Sequence, residues 1–175
     1  MSNVYRSPYE AYPFLADGKE DLRCDFEILT DKICSGTGLL CAMVKEAGLN
    51  ELVEPLTKVG ELIYHANPSL RTFCSITKEE VLWLKDEIDI LRAKVKGEGF
   101  VLPAGCKEAC VAHVLRTEGK ELVRLIYRHM YNNNEVSEIL IDFCNLLSGY
   151  FFNLSLYINH VLNVKEIPFK SRNYK

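Results

Sequence analysis

Between residues 106 and 124, Cys106, Cys110, His113, Arg116, Lys120 and Arg124 recur at steps of three and four, the spacing at which side chains share one face of an α-helix. Cys106, Cys110 and His113 are soft-metal ligand types. A rise of about 1.5 Å per residue, however, puts the outer two roughly 10 Å apart on a straight helix, too far to converge on one ion. The three therefore read as small buried thiols and a core histidine. His113, Arg116, Lys120 and Arg124 form a largely cationic strip, which suits phosphate groups. For any single Lys or Arg a solvated helix face is the commoner reading. Arg116 stands apart, because Val114, Leu115 and Thr117 flank it and a guanidinium in that setting needs an internal anion. Asp31, beside Ile33 and Cys34 in the apolar stripe of an upstream helix, is the candidate partner, and such a pair is equally compatible with a purely structural role. Asn145 and Ser148 interrupt an apolar run near the other end of the chain. A buried amide there finds hydrogen-bond partners or costs about 1–3 kcal/mol, so the two cap a polar layer or face a ligand with Arg116. Di-iron carboxylate chemistry is excluded: it needs a Glu and a His three apart on each of two helices, and the chain contains no ExxH.

Helices must position these groups, and the apolar pattern supplies them. Leu22, Phe26, Leu29, Ile33, Leu40 and Val44 trace one helical face that ends near Gly48. Leu56, Val59 and Ile63 follow Pro55, a residue suited to a first turn because its missing N–H would be unpaired there anyway; this helix ends before Asn67 and Pro68. Thr77 and Glu80 make a capping box ahead of Val81, Leu84, Ile88, Leu91 and Val95. Gly97 and Gly99 break that third helix, and an extended, unusually apolar turn, 100–105, leads into a fourth from about Lys107 to Tyr131. After Asn132, Asn133 and Asn134 the longest stripe begins: Val136, Ile139, Phe143, Leu147, Tyr150, Leu154, Tyr157 and Val161. No strand pattern and no repeat survives. The expected fold is all-α, a five-helix antiparallel bundle over residues 21–165. An irregular N-terminal segment, 1–20, precedes it, and a basic tail, 166–175, follows; the tail carries Pro168 and should be irregular and solvent-facing unless a neighbouring subunit holds it.

A length of 175 residues with 48% apolar content suits one domain with one core. The net charge of −3, from 21 basic and 24 acidic residues, recommends neither nucleic acid nor an anionic membrane as partner. The apolar stretch Ile139 to Leu162 is interrupted by Asp142, Asn145, Asn153, Asn159 and His160, costly in lipid, and reads as a central helix. Seven cysteines without a CxxC pair, and no secretory start, point to reduced thiols and a cytoplasmic location.

In order and spacing, "FVLPAG" (100–105), "AHVLRT" (112–117), "NLLSGYFFNLSLYIN" (145–159) and "VKEIPFK" (164–170) resemble the ATP:cob(I)alamin adenosyltransferases of the propanediol-utilisation type. "TDKICS" (30–35) stands where that family has V-D-E-L-N-S. The resemblance implies a five-helix homotrimer in which ATP and the corrinoid meet between adjacent subunits. It implies that a Phe, matched by Phe100, displaces the lower axial ligand of cobalt(II). The more easily formed cobalt(I) then attacks C5′ of ATP and releases triphosphate. Arg116 matches the catalytic Arg, Asp31 the Asp that pairs with it, and Asn145 the last-helix Asn of the same site. Departures gather on the nucleotide side. Tyr5 to Gly18 replaces the glycine-rich T-G-D-x-G-x-T loop, Lys120 to Arg124 replaces R-R-A-E-R, and Gly149 replaces an Asp. "LRTEGKEL" also resembles the ethanolamine-utilisation type, whose N-terminal cysteine cluster is missing. Arg116, Lys120, Lys107, Arg124 and the N-terminal segment are then the triphosphate contacts, with Mg2+ accompanying ATP and an adenosylcobalamin-dependent enzyme taking the product. The alternative is a non-catalytic corrinoid-binding, delivery or sensor protein that has lost the ATP site.

Overall fold

The computed structural model describes residues 4–95 and 100–173; the break assigned to Gly97 and Gly99, and Lys175 of the basic tail, lie outside them. Five helices follow the five stripes: α1 (Arg23–Glu46), α2 (Val53–Ala66), α3 (Lys78–Lys94), α4 (Lys107–Tyr131) and α5 (Glu138–Val161), with a 3-10 turn at Asn50–Leu52. Beyond α1, Gly48 takes φ +80°, a left-handed conformation that only glycine adopts without a Cβ penalty. The capping box is formed at α3: Glu80 N donates to Thr77 Oγ1 at 3.2 Å and Thr77 N to Glu80 Oε2 at 2.8 Å.

The short links make α1–α2 and α4–α5 antiparallel hairpins. α4 packs most extensively on α5, α1 lies against α2 and α4, and α3 against α5. Phe26, Ile33 and Leu40 of α1, Leu56 and Ile63 of α2, Leu84 of α3, Leu115, Leu122 and Ile126 of α4, and Phe143, Leu147 and Phe151 of α5 join in one core. Each contributes about 1.5–3 kcal/mol by its burial. A Cβ on Gly119 would meet Ser148 N at 3.3 Å, so a glycine at that level lets α4 and α5 approach closely. α5 is the one described helix long and apolar enough to cross a membrane. Its apolar positions are taken up by α3 and α4, and it buries Asn153, Ser155 and Asn159, polar groups that lipid could not satisfy.

Two terminal features go beyond the pattern. The tail is solvent-facing, but its backbone is pinned: Val101 and Pro168 form an antiparallel bridge, Leu102 N donates to Ile167 O at 2.9 Å and Phe169 N to Phe100 O at 2.8 Å. Pro168 is tolerated because its neighbours supply the N–H groups. The N-terminal segment, in turns, is held by Arg71. That guanidinium donates to Glu27 Oε1 at 2.6 Å and Oε2 at 2.9 Å and to Asp17 Oδ2 at 3.0 Å. Tyr12 OH donates to Glu27 Oε2 at 2.8 Å.

Candidate functional site

The first three turns of α4 and the turn before it carry Phe100, Lys107, His113 and Arg116 of the groups that the sequence singles out. Phe100 is 78% exposed on a turn whose backbone is tied to the tail, so its ring is offered outward while its main chain is fixed. Arg116, half-buried, has an Nε with no hydrogen-bond partner. Its Cζ lies 5.8 Å from the Phe152 ring centroid, near the outer limit of a cation–π contact.

One turn earlier, His113 is 4% exposed, with Nδ1 3.5 Å from Ser155 Oγ. Ser155 Oγ donates its one proton to Phe152 O at 2.7 Å, so the hydroxyl accepts from His113. The imidazole then carries its hydrogen on Nδ1, leaving Nε2 a bare acceptor, and Nε2 has no partner. Burial, and secondarily the Arg116 charge, pushes the His113 pKa down to about 4, so the ring is neutral at physiological pH. An orphan donor and an orphan acceptor thus lie one helical turn apart. Buried polar groups are nearly always paired in native structures, so this spot calls for a ligand, a water or a neighbouring chain.

The expected partner of Arg116 is elsewhere. Asp31 is exposed and pairs with no described residue, because two residues separate it from buried Ile33 by about 200° around the helix. Adjacency in sequence put it in the stripe; the helix turns it outward. It lines a cavity of about 300 Å³ with Tyr12, Leu15, Glu27, Ile28, Tyr64 and Asn67. The ion pair that does link α1 to α4 is Lys32 with Glu118, at 2.9 Å.

Asn145 also departs from expectation. It is exposed and donates to Ile141 O of its own helix at 2.9 Å, because Phe143, Cys144 and Leu147 occupy the buried face. The buried amides of α5 are instead Asn153 and Asn159. Lys120 and Arg124 are exposed on α4, and exposed Lys107 sits 3.7 Å from Glu108 Oε1 in the first turn. Among the described residues no group of three or more His, Cys, Asp or Glu could hold a metal ion. Cys110 Sγ rests 3.7 Å from Gly105 O.

Sequence reasoning missed the Glu27–Arg71–Asp17 network and the bonding of Asn159, which it named only as a polar interruption of the last helix. The available signal for the first was Glu27 beside Phe26 within an apolar stripe, a carboxylate that had to find a cation. Phe100 and Arg116 thus stand on the turn before α4 and on α4 itself, with Lys120 and Arg124 exposed further along that helix, whereas Asp31 lies beside α2 and Asn145 turns outward from α5.

Residues 17–158 match the model of the family described as cobalamin adenosyltransferase. The chain is 25% identical over 159 residues to the corrinoid adenosyltransferase of Bacillus subtilis (strain 168), covering 87% of this chain and 82% of that protein. Two solved structures of a PduO-type ATP:corrinoid adenosyltransferase from Lactobacillus reuteri, a phenylalanine-to-histidine variant complexed with cobalamin and ATP and an arginine-to-lysine variant complexed with ATP, share its fold. The first has a TM-score of 0.79 at 20% identity over 93% of this chain and 97% of that one. The second has a TM-score of 0.76 at 22% identity over 86% and 88%.

Proposed function

The chain belongs to the cobalamin adenosyltransferase family and is an enzyme of corrinoid adenosylation, and on that premise we propose how its own residues transfer the 5′-deoxyadenosyl group of ATP to cob(I)alamin. The observation that carries the reading is the conjunction of an exposed aromatic ring on a pinned turn with an unpartnered guanidinium on the helix that follows it.

Phe100 sits against the lower face of the corrin. An apolar ring there excludes water and a nitrogenous ligand, and loss of axial ligation makes cobalt(II) easier to reduce. An external one-electron reductant supplies the electron. The cobalt(I) lone pair then forms the Co–C5′ bond while the C5′–O bond breaks, its electrons leaving with triphosphate. Arg116 meets the charge that grows on the leaving group, a preorganised donor of the kind whose removal costs about 2.7–4 kcal/mol in the transition state. Lys120, Arg124, Lys107 and the N-terminal segment hold the rest of the triphosphate, and Asn145 contributes its exposed amide to the same site.

Asp31 orients Arg116 from a neighbouring subunit. Its exposure and the vacant Arg116 Nε support a homotrimer with sites between subunits, since each chain brings one half of the pair. Mg2+ arrives on the phosphates of ATP and keeps its waters, for the described residues offer it no cluster of their own. The motifs favour the propanediol-utilisation type, with ethanolamine-type character in 115–122. The free cysteines favour a cytoplasmic enzyme that passes its product to an adenosylcobalamin-dependent enzyme.

One observation favours a second reading, a corrinoid carrier or sensor without an ATP site. Tyr12 and Asp17 are bound into the Glu27–Arg71 network, and no glycine-rich run of free backbone donors stands there. Mixing anaerobic cob(I)alamin with ATP decides between them. The enzyme makes light-sensitive adenosylcobalamin and one triphosphate per product, and Arg116→Ala removes turnover while corrinoid binding persists. Corrinoid binding with no measurable ATP affinity would establish the carrier instead.

A further inference from the structure

The Phe100 side chain is 78% exposed and takes no part in the packed core of described residues, so the position of its ring is set chiefly by its main chain. That main chain belongs to a closed loop of hydrogen bonds centred on Asn159, in the last turn of α5 and 0% exposed. Asn159 Nδ2 donates one hydrogen to Ala104 O at 3.0 Å and the other to Glu166 Oε1 at 2.9 Å. Its Oδ1 accepts from Cys106 N, the residue that precedes α4, at 3.0 Å. Both donors and the acceptor are in use, and the amide cannot be turned over without setting oxygen against oxygen at Ala104 and Glu166.

Gly105 lies between the two anchored residues with φ +132°, and a Cβ there would overlap the Asn159 carboxamide. The backbone conformation and the space are therefore both reserved for glycine. Beyond α5, Asn163 takes φ 56° and Val164 N donates to Asn159 O at 2.8 Å, a left-handed helix end that turns the tail back. From Glu166 the tail runs directly into Ile167 and Phe169, whose backbones pair with Leu102 and Phe100. The circuit runs from Phe100 through Ala104, Asn159, Glu166 and Phe169 back to Phe100.

Resting on the reading of Phe100 given above, we infer that Asn159 is the positioning residue of the Phe100 turn, and that with Glu166 it makes the C-terminal tail a working part of the corrinoid site. It touches no reacting atom. It locks the end of α5, the start of α4 and the tail into one unit, so that Phe100 meets the cobalt at a fixed height without any packing of its own. A side chain that must displace an axial ligand needs such support, because a loosely held ring would let the ligand return.

The test compares Asn159→Ala, Glu166→Ala and a chain ending at Lys165 with the wild type, using Phe100→Ala as reference. Amide hydrogen exchange at Leu102 reads the clamp in the free protein. The fraction of bound cob(II)alamin that becomes four-coordinate on adding ATP, by electron paramagnetic resonance, reads the position of Phe100. The inference expects Leu102 to exchange at least tenfold faster in Asn159→Ala and in the shortened chain, the four-coordinate fraction to fall several-fold, and ATP affinity to stay within twofold. Unchanged protection of Leu102 overturns it, as does lost protection with a wild-type four-coordinate fraction where Phe100→Ala abolishes that fraction. A wild-type fraction in Phe100→Ala refutes the assignment of Phe100 and removes the functional half of the inference, while the exchange rates still decide the clamp. Should Asn159→Ala fail to fold, Glu166→Ala and the shortened chain decide both points.

Discussion

Replacing Arg71 with alanine should cost far more than an ordinary surface arginine. Glu27 is 5% exposed, and Arg71 holds it through two charge-assisted bonds, of 2.6 and 2.9 Å. Besides Arg71, the one side-chain donor to that carboxylate among the described residues is Tyr12 OH, at 2.8 Å. The electrostatics agree with the geometry. Bonding to Glu27 is the main cause that raises the Arg71 pKa above its ordinary value, and burial, then the Glu27 bond, pushes the Tyr12 phenol up to about 12. Removing one member of a buried pair leaves the other charged and unpaired, at about 3–5 kcal/mol. In a chain of this size each kcal/mol moves Tm by about 2–4 °C, so Arg71→Ala should lower Tm by roughly 6–20 °C. The double variant Arg71→Met with Glu27→Gln, which removes both charges, should recover more than half of that loss. Thermal unfolding at one fixed protein concentration measures it, because any self-association would make Tm depend on concentration. The Phe14 ring, 3.6 Å from the guanidinium carbon, is released in the same variant, so ATP affinity should fall as the N-terminal segment loosens. A Tm within 2 °C of wild type would refute the claim that this network anchors the segment.

Two further predictions concern the site. Asp31→Asn and Arg116→Lys should each lower turnover by at least tenfold, and the double variant by no more than the worse single one, if the pair acts across a subunit boundary; fully additive losses in kcat/KM would show that the two do not meet. For His113, the unfolded ring takes up a proton near pH 6.5 but the folded one only near 4. The stability this contributes is complete above pH 6.5 and is lost as pH falls toward 4, up to about 3 kcal/mol. The stability difference between wild type and His113→Phe in urea titrations should therefore shrink or reverse over that window, and a difference that stays flat from pH 7 to 4.5 would contradict the buried neutral imidazole.

The helices were legible because their signals are local. Leu84, Ile88 and Leu91 repeat at helical spacing, Thr77 and Glu80 cap within one turn, and Gly48 ends α1 where the stripe stops. Phe100 and Arg116 were singled out through a motif, which fixes residue types at given spacings. Asp31 and Asn145 show where such reading stops: each lies within an apolar run in sequence, yet a two-residue step from a buried position turns a side chain to the opposite side of a helix. The tail ladder and the Asn159 clamp left no pattern at all, since a few backbone pairings between distant segments require no alternation of apolar and polar residues. Glu27 and Arg71 likewise meet only after the bundle has formed. No described residue completes the Arg116 Nε, and the amino-acid order could announce only that something must.

The visible spectrum of anaerobic cob(II)alamin bound to this protein, with and without ATP and then with a strong reductant, tests the central claim most directly. The account predicts that ATP shifts the bound cofactor toward the four-coordinate form and that light-sensitive adenosylcobalamin accumulates once electrons are supplied. Cobalamin that binds, does not respond to ATP and yields no adenosylated product would contradict it.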